Sequence, residues 1–113
     1  MTVANAMSEA FAMADMMGVD KKQLHEVMAA GPLHSGMMDF VKGYAVDGDP
    51  SMLAFAIKNA AKDVGYYAQM SKDAGADSIM SQSTLKALNT ARDDGMGDEM
   101  VSQMYDFYKK ALS

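Results

Sequence analysis

The sequence predicts an all-α protein of about six helices packed around a long central helix at roughly residues 51–73. Apolar residues recur at intervals of three and four along most of the chain, as on one face of a helix. No run alternates with period two for long enough to be a strand. With 113 residues, half of them hydrophobic, residues 1–113 form one domain large enough to bury a core.

The first predicted helix covers residues 3–17 and opens without a clear capping side chain. Gly18 ends this helix, and Asp20 with Gln23 three residues later forms a capping-box arrangement. That arrangement predicts a second helix through about Ala30. The expected apolar positions of the two helices are Val3, Met7, Ala10, Phe11, Ala14 and Met17, then Leu24, Val27 and Met28.

The third predicted helix, Leu33 to Val46, follows the Gly31-Pro32 break. Proline cannot continue the helical hydrogen-bond ladder, so the second helix ends there. The expected apolar side consists of Met37, Phe40, Val41 and Tyr44. Residues 47–50 then form a turn, and Ser51 is placed to cap the central helix.

The central helix has two unlike faces. One is small and mostly apolar, with Ile57, Ala61, Val64, Ala68 and Ser71; the other holds Phe55, Asn59, Lys62, Tyr66 and Gln69. An amide, a lysine and aromatics on one side suit a cleft or a subunit contact. The alternative, favoured by residue types alone, is a buried helix whose aromatics pack on a neighbour while Lys62 reaches water.

Two more helices are predicted after Gly75. The fifth starts after the Asp77-Ser78 cap and runs to Asp94, with a buried side of Ile79, Met80, Leu85, Leu88 and Ala91. Residues 94–98 form a sharp break. The last helix has Asp98 and Glu99 in its opening turn, Lys109 and Lys110 near its end, and an apolar stripe of Val101, Met104, Tyr105, Tyr108 and Leu112.

Composition excludes several classes of function. The absence of cysteine rules out disulfides, thiol catalysis and cysteine-ligated metals. A net charge of -5 without a basic stripe argues against nucleic-acid binding. No apolar run is long enough to cross a membrane and no signal sequence is recognisable, which indicates a soluble, cytoplasmic protein.

Two residue groups could bind a metal, and we expect that neither does. Met13, Met16 and Met17 would suit copper(I), but methionine more often fills helical cores, and the core interpretation is strongly favoured. His25 and His34 are nine residues apart without an HExxH spacing. We therefore interpret them as surface histidines.

Several short segments resemble the C-terminal helical domain of the β-hydroxyacid dehydrogenases, the family of 3-hydroxyisobutyrate dehydrogenase. Phe55 with Lys62-Asp63-Val64 carries the resemblance most specifically. The others are Ser8-Glu9-Ala10, Gly18-Val19-Asp20, Gly31-Pro32 with Ser35, Gly75-Ala76-Asp77, Ala91 and the 94–98 break. The resemblance covers nearly the whole chain and implies the fold of the C-terminal domain of 6-phosphogluconate dehydrogenase-like enzymes.

The resemblance implies an oxidoreductase in which a Rossmann domain, absent from this chain, holds NAD or NADP. The helical domain would close the cleft over a small hydroxy-acid substrate and mediate homo-oligomerisation. By analogy, Lys62 contacts the cofactor, and Phe55 and Asp63 lie on the substrate side. The family's catalytic lysine belongs to a Lys-x3-Asn motif that, counted back from Glu9, falls before Met1.

No catalytic residue is therefore expected within the chain, and the isolated chain should be inactive. Gly36 replaces a bulkier residue expected beside the active site, and the proline usual after Gly75 is missing. The first departure leaves the substrate class open. The competing interpretation is a stand-alone helical dimerisation or binding module without catalytic activity, and a methionine-rich metal carrier is a weaker third.

Overall fold

The computed structural model describes residues 1–113 and contains six α-helices and no β-strand, which confirms the predicted fold class. The helices are α1 (Thr2–Met16), α2 (Lys21–Ala29), α3 (Gly36–Ala45), α4 (Ile57–Asp73), α5 (Ile79–Ala91) and α6 (Met104–Leu112). Short 3-10 turns occupy Pro50–Leu53 and Val101–Gln103, and a π turn occupies Arg92–Met96. None of the six helices combines the length and apolar character needed to cross a lipid bilayer.

The central position belongs to α1 rather than to the predicted helix at 51–73. Helices α2, α3, α5 and α6 all pack on α1, whereas α4 packs mainly on α5 and the turn after it. The reason lies in the side chains, because α1 buries residues around about half of its circumference and α4 buries one narrower side. The buried residues of α1 are Ala4, Asn5, Met7, Ser8, Phe11, Ala12 and Ala14.

The helix predicted from Ser51 begins six residues later, at Ile57. Residues Pro50–Leu53 form a separate 3-10 turn, because the Asp49 side chain caps it by accepting from the Ser51 amide at 2.9 Å. An extended segment follows, and its Ala56 pairs with Met100 in an isolated antiparallel bridge. The predicted boundary was wrong because this distant pairing competes with helix formation.

The side chains of Asp20 and Ser35 cap the first turns of α2 and α3 and so set where these helices begin. Asp20 accepts from the Gln23 amide at 3.0 Å and starts α2, as predicted. Ser35 accepts from the Met38 amide at 3.2 Å, so α3 begins at Gly36 and not at Leu33. The last helix also begins late, at Met104; Asp98 and Glu99 therefore lie ahead of it, while Lys109 and Lys110 do occupy its last turn.

Several residues expected in the core are exposed. Val27, Ile79 and Met80 are 75%, 69% and 64% exposed, although helical spacing placed each on a buried side. The core interpretation was also wrong for Met13, Met16 and Met17, and right for Met7 and Met104. Periodicity identifies a helix's more apolar side, but a helix end that extends beyond its neighbours leaves that side uncovered.

Candidate functional site

The face of α4 that holds Lys62 is open to solvent. Asn59, Lys62 and Gln69 are exposed, and Tyr66 and its neighbour Tyr67 are 66% and 55% exposed. The opposite side packs inward through Ile57, Ala60, Ala61 and Ser71, as the small-residue pattern predicted. The interpretation of α4 as a buried helix with packed aromatics was therefore wrong, and within this chain nothing covers the aromatic face.

Lys62 makes no hydrogen bond and no ion pair within the chain. Other lysines do: Lys21 pairs with Asp15, Lys42 with Asp47 and Lys58 with Asp98. Asn59 and Tyr66 lie three and four residues from Lys62, so they are its neighbours on the helix surface. The ammonium group thus keeps its three donors free on a face with an amide and a phenol.

Asp63 lies beside a different feature, a cavity of about 340 Å³ where the start of α1 meets α4 and α5. The cavity is lined by Met1, Thr2, Asp63, Val64, Tyr67, Ser78, Met80 and Ser81. Successive helix residues point about 100° apart. Lys62 accordingly faces the open side of α4 while Asp63 faces this cavity.

Phe55 does not share a helix face with Lys62. It precedes α4, is half-buried, and packs against the core. Its backbone carbonyl accepts from the Val101 amide at 2.8 Å, which fixes the segment against the chain after the π turn. The prediction of a shared face was wrong because α4 begins two residues after Phe55; its place on the substrate side stays a prediction.

A polar cluster at the junction of α1, α2 and α6 was missed by the sequence reasoning. Lys21 Nζ lies 3.3 Å from Asp15 Oδ2 and 2.6 Å from the Tyr105 hydroxyl, and Lys109 Nζ lies 3.7 Å from the same carboxylate oxygen. Both ammonium groups lie over the Tyr105 ring. The cluster joins α1, α2 and α6. Sequence spacing could not predict it, because the α6 residues lie far along the chain from Asp15 and Lys21.

Tyr108 on α6 joins a second polar contact with α1. Its hydroxyl donates to Asn5 Oδ1 at 2.7 Å, and burial, with a smaller effect of Glu9, raises its pKa to about 12. The phenol is therefore neutral throughout the physiological range. This contact is structural, since both partners lie between packed helices.

His25 and His34 converge on one carboxylate. His25 Nε2 lies 3.1 Å from Asp39 Oδ1, and His34 Nε2 lies 2.9 Å from Asp39 Oδ2. Hydrogen bonds from His34 and then His25 hold the pKa of Asp39 below its usual range. The prediction of surface histidines is right for His34, whose side chain is 48% exposed, and wrong for His25, at 13%. No three His, Asp or Glu residues adopt an arrangement that could hold a metal ion.

The family of the chain follows from its sequence profile. The profile described as "NAD-binding of NADP-dependent 3-hydroxyisobutyrate dehydrogenase" matches residues 1–108, nearly the entire chain. The chain therefore belongs to this family, as the short motifs predicted. The matched region contains helices joined by loops and no strand on which a Rossmann domain could be built.

A crystal structure of 3-hydroxyisobutyrate dehydrogenase from Salmonella typhimurium has the same fold, with a TM-score of 0.84 and 23% identity. The match covers 94% of this chain and 37% of that protein, so the chain spans little more than a third of its relative. No curated protein sequence matches the chain.

Proposed function

We propose that the chain is the helical C-terminal domain of an NAD(P)-dependent 3-hydroxyacid dehydrogenase similar to 3-hydroxyisobutyrate dehydrogenase. A Rossmann domain outside these 113 residues would hold most of the cofactor, in a cytoplasmic homo-oligomer. The observation that carries the proposal is Lys62, a lysine of the family motif whose donors are free on an exposed face of α4. Family membership and the shared fold support it.

In this proposal the nicotinamide supplies the hydride acceptor, and the helical domain supplies orientation and closure. The Lys62 ammonium donates hydrogen bonds to cofactor oxygens across the cleft and favours negative charge there. Asn59 and Tyr66 extend the same surface and exclude water when the cleft closes. Asp63 and Phe55 lie toward the small hydroxy acid, and the proton-transferring lysine belongs to the part of the enzyme outside this chain.

The proposal is tested on the complete reading frame, expressed with whatever precedes Met1. We expect a strand–GxGxxG–helix unit and a Lys-x3-Asn motif in that frame, and NAD- or NADP-dependent oxidation of 3-hydroxy acids. Lys62→Ala should lower kcat/KM by about 10- to 100-fold, the value of one lost charge-assisted hydrogen bond. The 113-residue chain alone should show no turnover.

The matched control is Lys86→Ala on the neighbouring α5. Lys86 is also exposed and forms no ion pair, so its removal changes the net charge equally. We expect wild-type kinetics for this variant. An equal loss in both variants, or no loss in either, would show that Lys62 does not contact the cofactor.

A second candidate function is a stand-alone dimerisation module. It is favoured by the exposed aromatic and apolar side chains of Tyr66, Tyr67 and Met70 on one helix, since such groups promote self-association. Both proposals allow the chain to self-associate, so sedimentation equilibrium of the 113-residue chain is combined with the upstream reading frame to distinguish the two. A reading frame that encodes no nucleotide-binding unit, together with a dimer lost in Tyr66→Ser, would establish the module and reject the dehydrogenase.

A further inference from the structure

We propose that His25, His34 and Asp39 form a proton-operated clamp that controls how firmly α2 and the loop after it close over an apolar groove beside α1. This device lies apart from the α4 face and does not depend on the function proposed above.

The groove has a volume of about 490 Å³ and is bounded by α1 on one side and by the 32–35 loop on the other. His34, one member of the clamp, lies in its lining. The full lining is Val3, Ala6, Met7, Met28, Pro32, Leu33, His34, Ser35 and Met38. Because the loop forms one wall, any change in how the loop is held changes access to the groove.

Helix α2 is weakly attached to the rest of the molecule. It contains no buried residue, and only Leu24, Met28 and Ala29 pack in part against the core. Segments with few buried contacts open locally at low free-energy cost. The His25 and His34 contacts with Asp39 join α2 and the following loop to α3, whereas the Lys21 contacts with Asp15 and Tyr105 hold only the first turn of α2.

Protonation strengthens both contacts. A neutral imidazole donates one hydrogen bond to the carboxylate from the Nε2 tautomer, whereas an imidazolium donates the same bond and also carries a positive charge. Charge-assisted hydrogen bonds are about twice as strong as neutral ones. Protonation of the two imidazoles therefore favours the closed state, and their deprotonation loosens it.

No other charged group competes at the clamp. On the packed elements, Lys21 pairs with Asp15, Lys42 pairs with Asp47, and Glu9 on α1 acts on Tyr108. Lys22 and Glu26 are exposed on α2 and make no side-chain hydrogen bond. The charges that lower the Asp39 pKa belong to the two imidazoles.

Native-state amide hydrogen exchange of the 113-residue chain tests the clamp. Opening constants of the α2 amides, corrected for intrinsic exchange, should rise about two- to fivefold between pH 5.5 and 7.5, the range expected for an exposed ion pair. An α2 opening constant that stays flat over this range would overturn the proposal.

Variants separate the clamp from a general effect of pH. The double variant His25→Gln/His34→Gln keeps side-chain donors but cannot titrate, and Asp39→Asn removes the shared charge. In both variants the opening constants of the α2 amides should no longer depend on pH. Glu26→Gln, which removes an exposed charge from the same helix, should keep the pH dependence of the wild type. The proposal would be contradicted if the opening constants of the double variant depended on pH as in the wild type, or if Glu26→Gln lost this pH dependence equally.

Discussion

The α4–α5 helix pair has two unlike ends. At the end near Ile57 and Leu88, both helices join the main core, where each of these side chains is fully buried. At the far end, around the 74–78 turn, α4 and α5 meet only the start of α1 across an open cavity and expose Tyr67, Met70, Ile79 and Met80. Stability is thus concentrated at one end and accessible surface at the other.

The largest expected effect comes from matched leucine truncations on α5. Leu88 is fully buried in the core, so Leu88→Ala should lower the free energy of unfolding by about 2–5 kcal/mol. Leu85, three residues nearer the far end and half-buried, should cost about 1–2 kcal/mol in the same substitution. Urea unfolding measures both, and equal losses would mean that the far end is as well packed as the core end.

Replacing glycine by alanine should cost the same free energy of unfolding at the end of α1 as at the end of α4. Gly18 and Gly75 end α1 and α4 with φ values of +72° and +74°, and nothing lies within 4 Å of an added Cβ at either. Alanine at either position should cost about 1–2 kcal/mol, because the left-handed conformation is disfavoured for every L residue with a side chain. A larger loss at Gly18 by thermal unfolding would show that the surrounding structure amplifies the strain there.

Substitutions on the exposed side of α4 should leave stability nearly unchanged. Tyr66→Ser should alter the free energy of unfolding by no more than about 0.5 kcal/mol, because the side chain contacts solvent on most of its surface. Chemical denaturation at several protein concentrations measures this. A concentration-dependent midpoint in the wild type that disappears in the variant would instead reveal that self-association covers this face.

The smallest effect concerns an ion pair at the core end. The Lys58 ammonium beside Asp98 holds the pKa of that carboxyl below its usual range in the folded state. The pair therefore stabilises the fold above the unfolded pKa of about 3.9, and this contribution is lost as pH falls through the folded value. The free energies of unfolding of the wild type and of Asp98→Asn should differ at pH 6 and converge at low pH. A difference that stays constant with pH would exclude the ion pair as its cause.

The sequence predicted most elements of the fold because their signals are local. Asp20 caps α2 as its spacing to Gln23 indicated, and Gly18 and Gly75 end their helices. What could not be predicted depends on distant partners. The start of α4 is set by a bridge between Ala56 and Met100, and no pattern within residues 51–57 announces it.

Some features of the candidate site could be predicted from the sequence and others could not, for the same reason. Lys62 and Asp63 were identified by resemblance, since a family motif is contiguous in sequence. The convergence of His25, His34 and Asp39 could not be predicted, because it depends on how α2 turns back on α3 through the Gly31-Pro32 break. The exposure of Lys62 was expected from the sequence, but the absence of an ion pair at Lys62 depends on the position of α4 at the edge of the molecule.

The pairing that starts α4 has an electrostatic consequence. The first amides of a helix usually point outward with partial positive charge and readily bind phosphates. Here the Ile57 and Lys58 amides donate to the Glu99 and Gly97 carbonyls at 2.8 and 2.9 Å, and the next two donate to the Ala56 carbonyl. The first amides of α4 are thus already occupied by carbonyls of the chain itself, so an anion approaching α4 would have to be held by a side-chain charge, and Lys62 and Lys72 are the exposed α4 lysines without an ion pair.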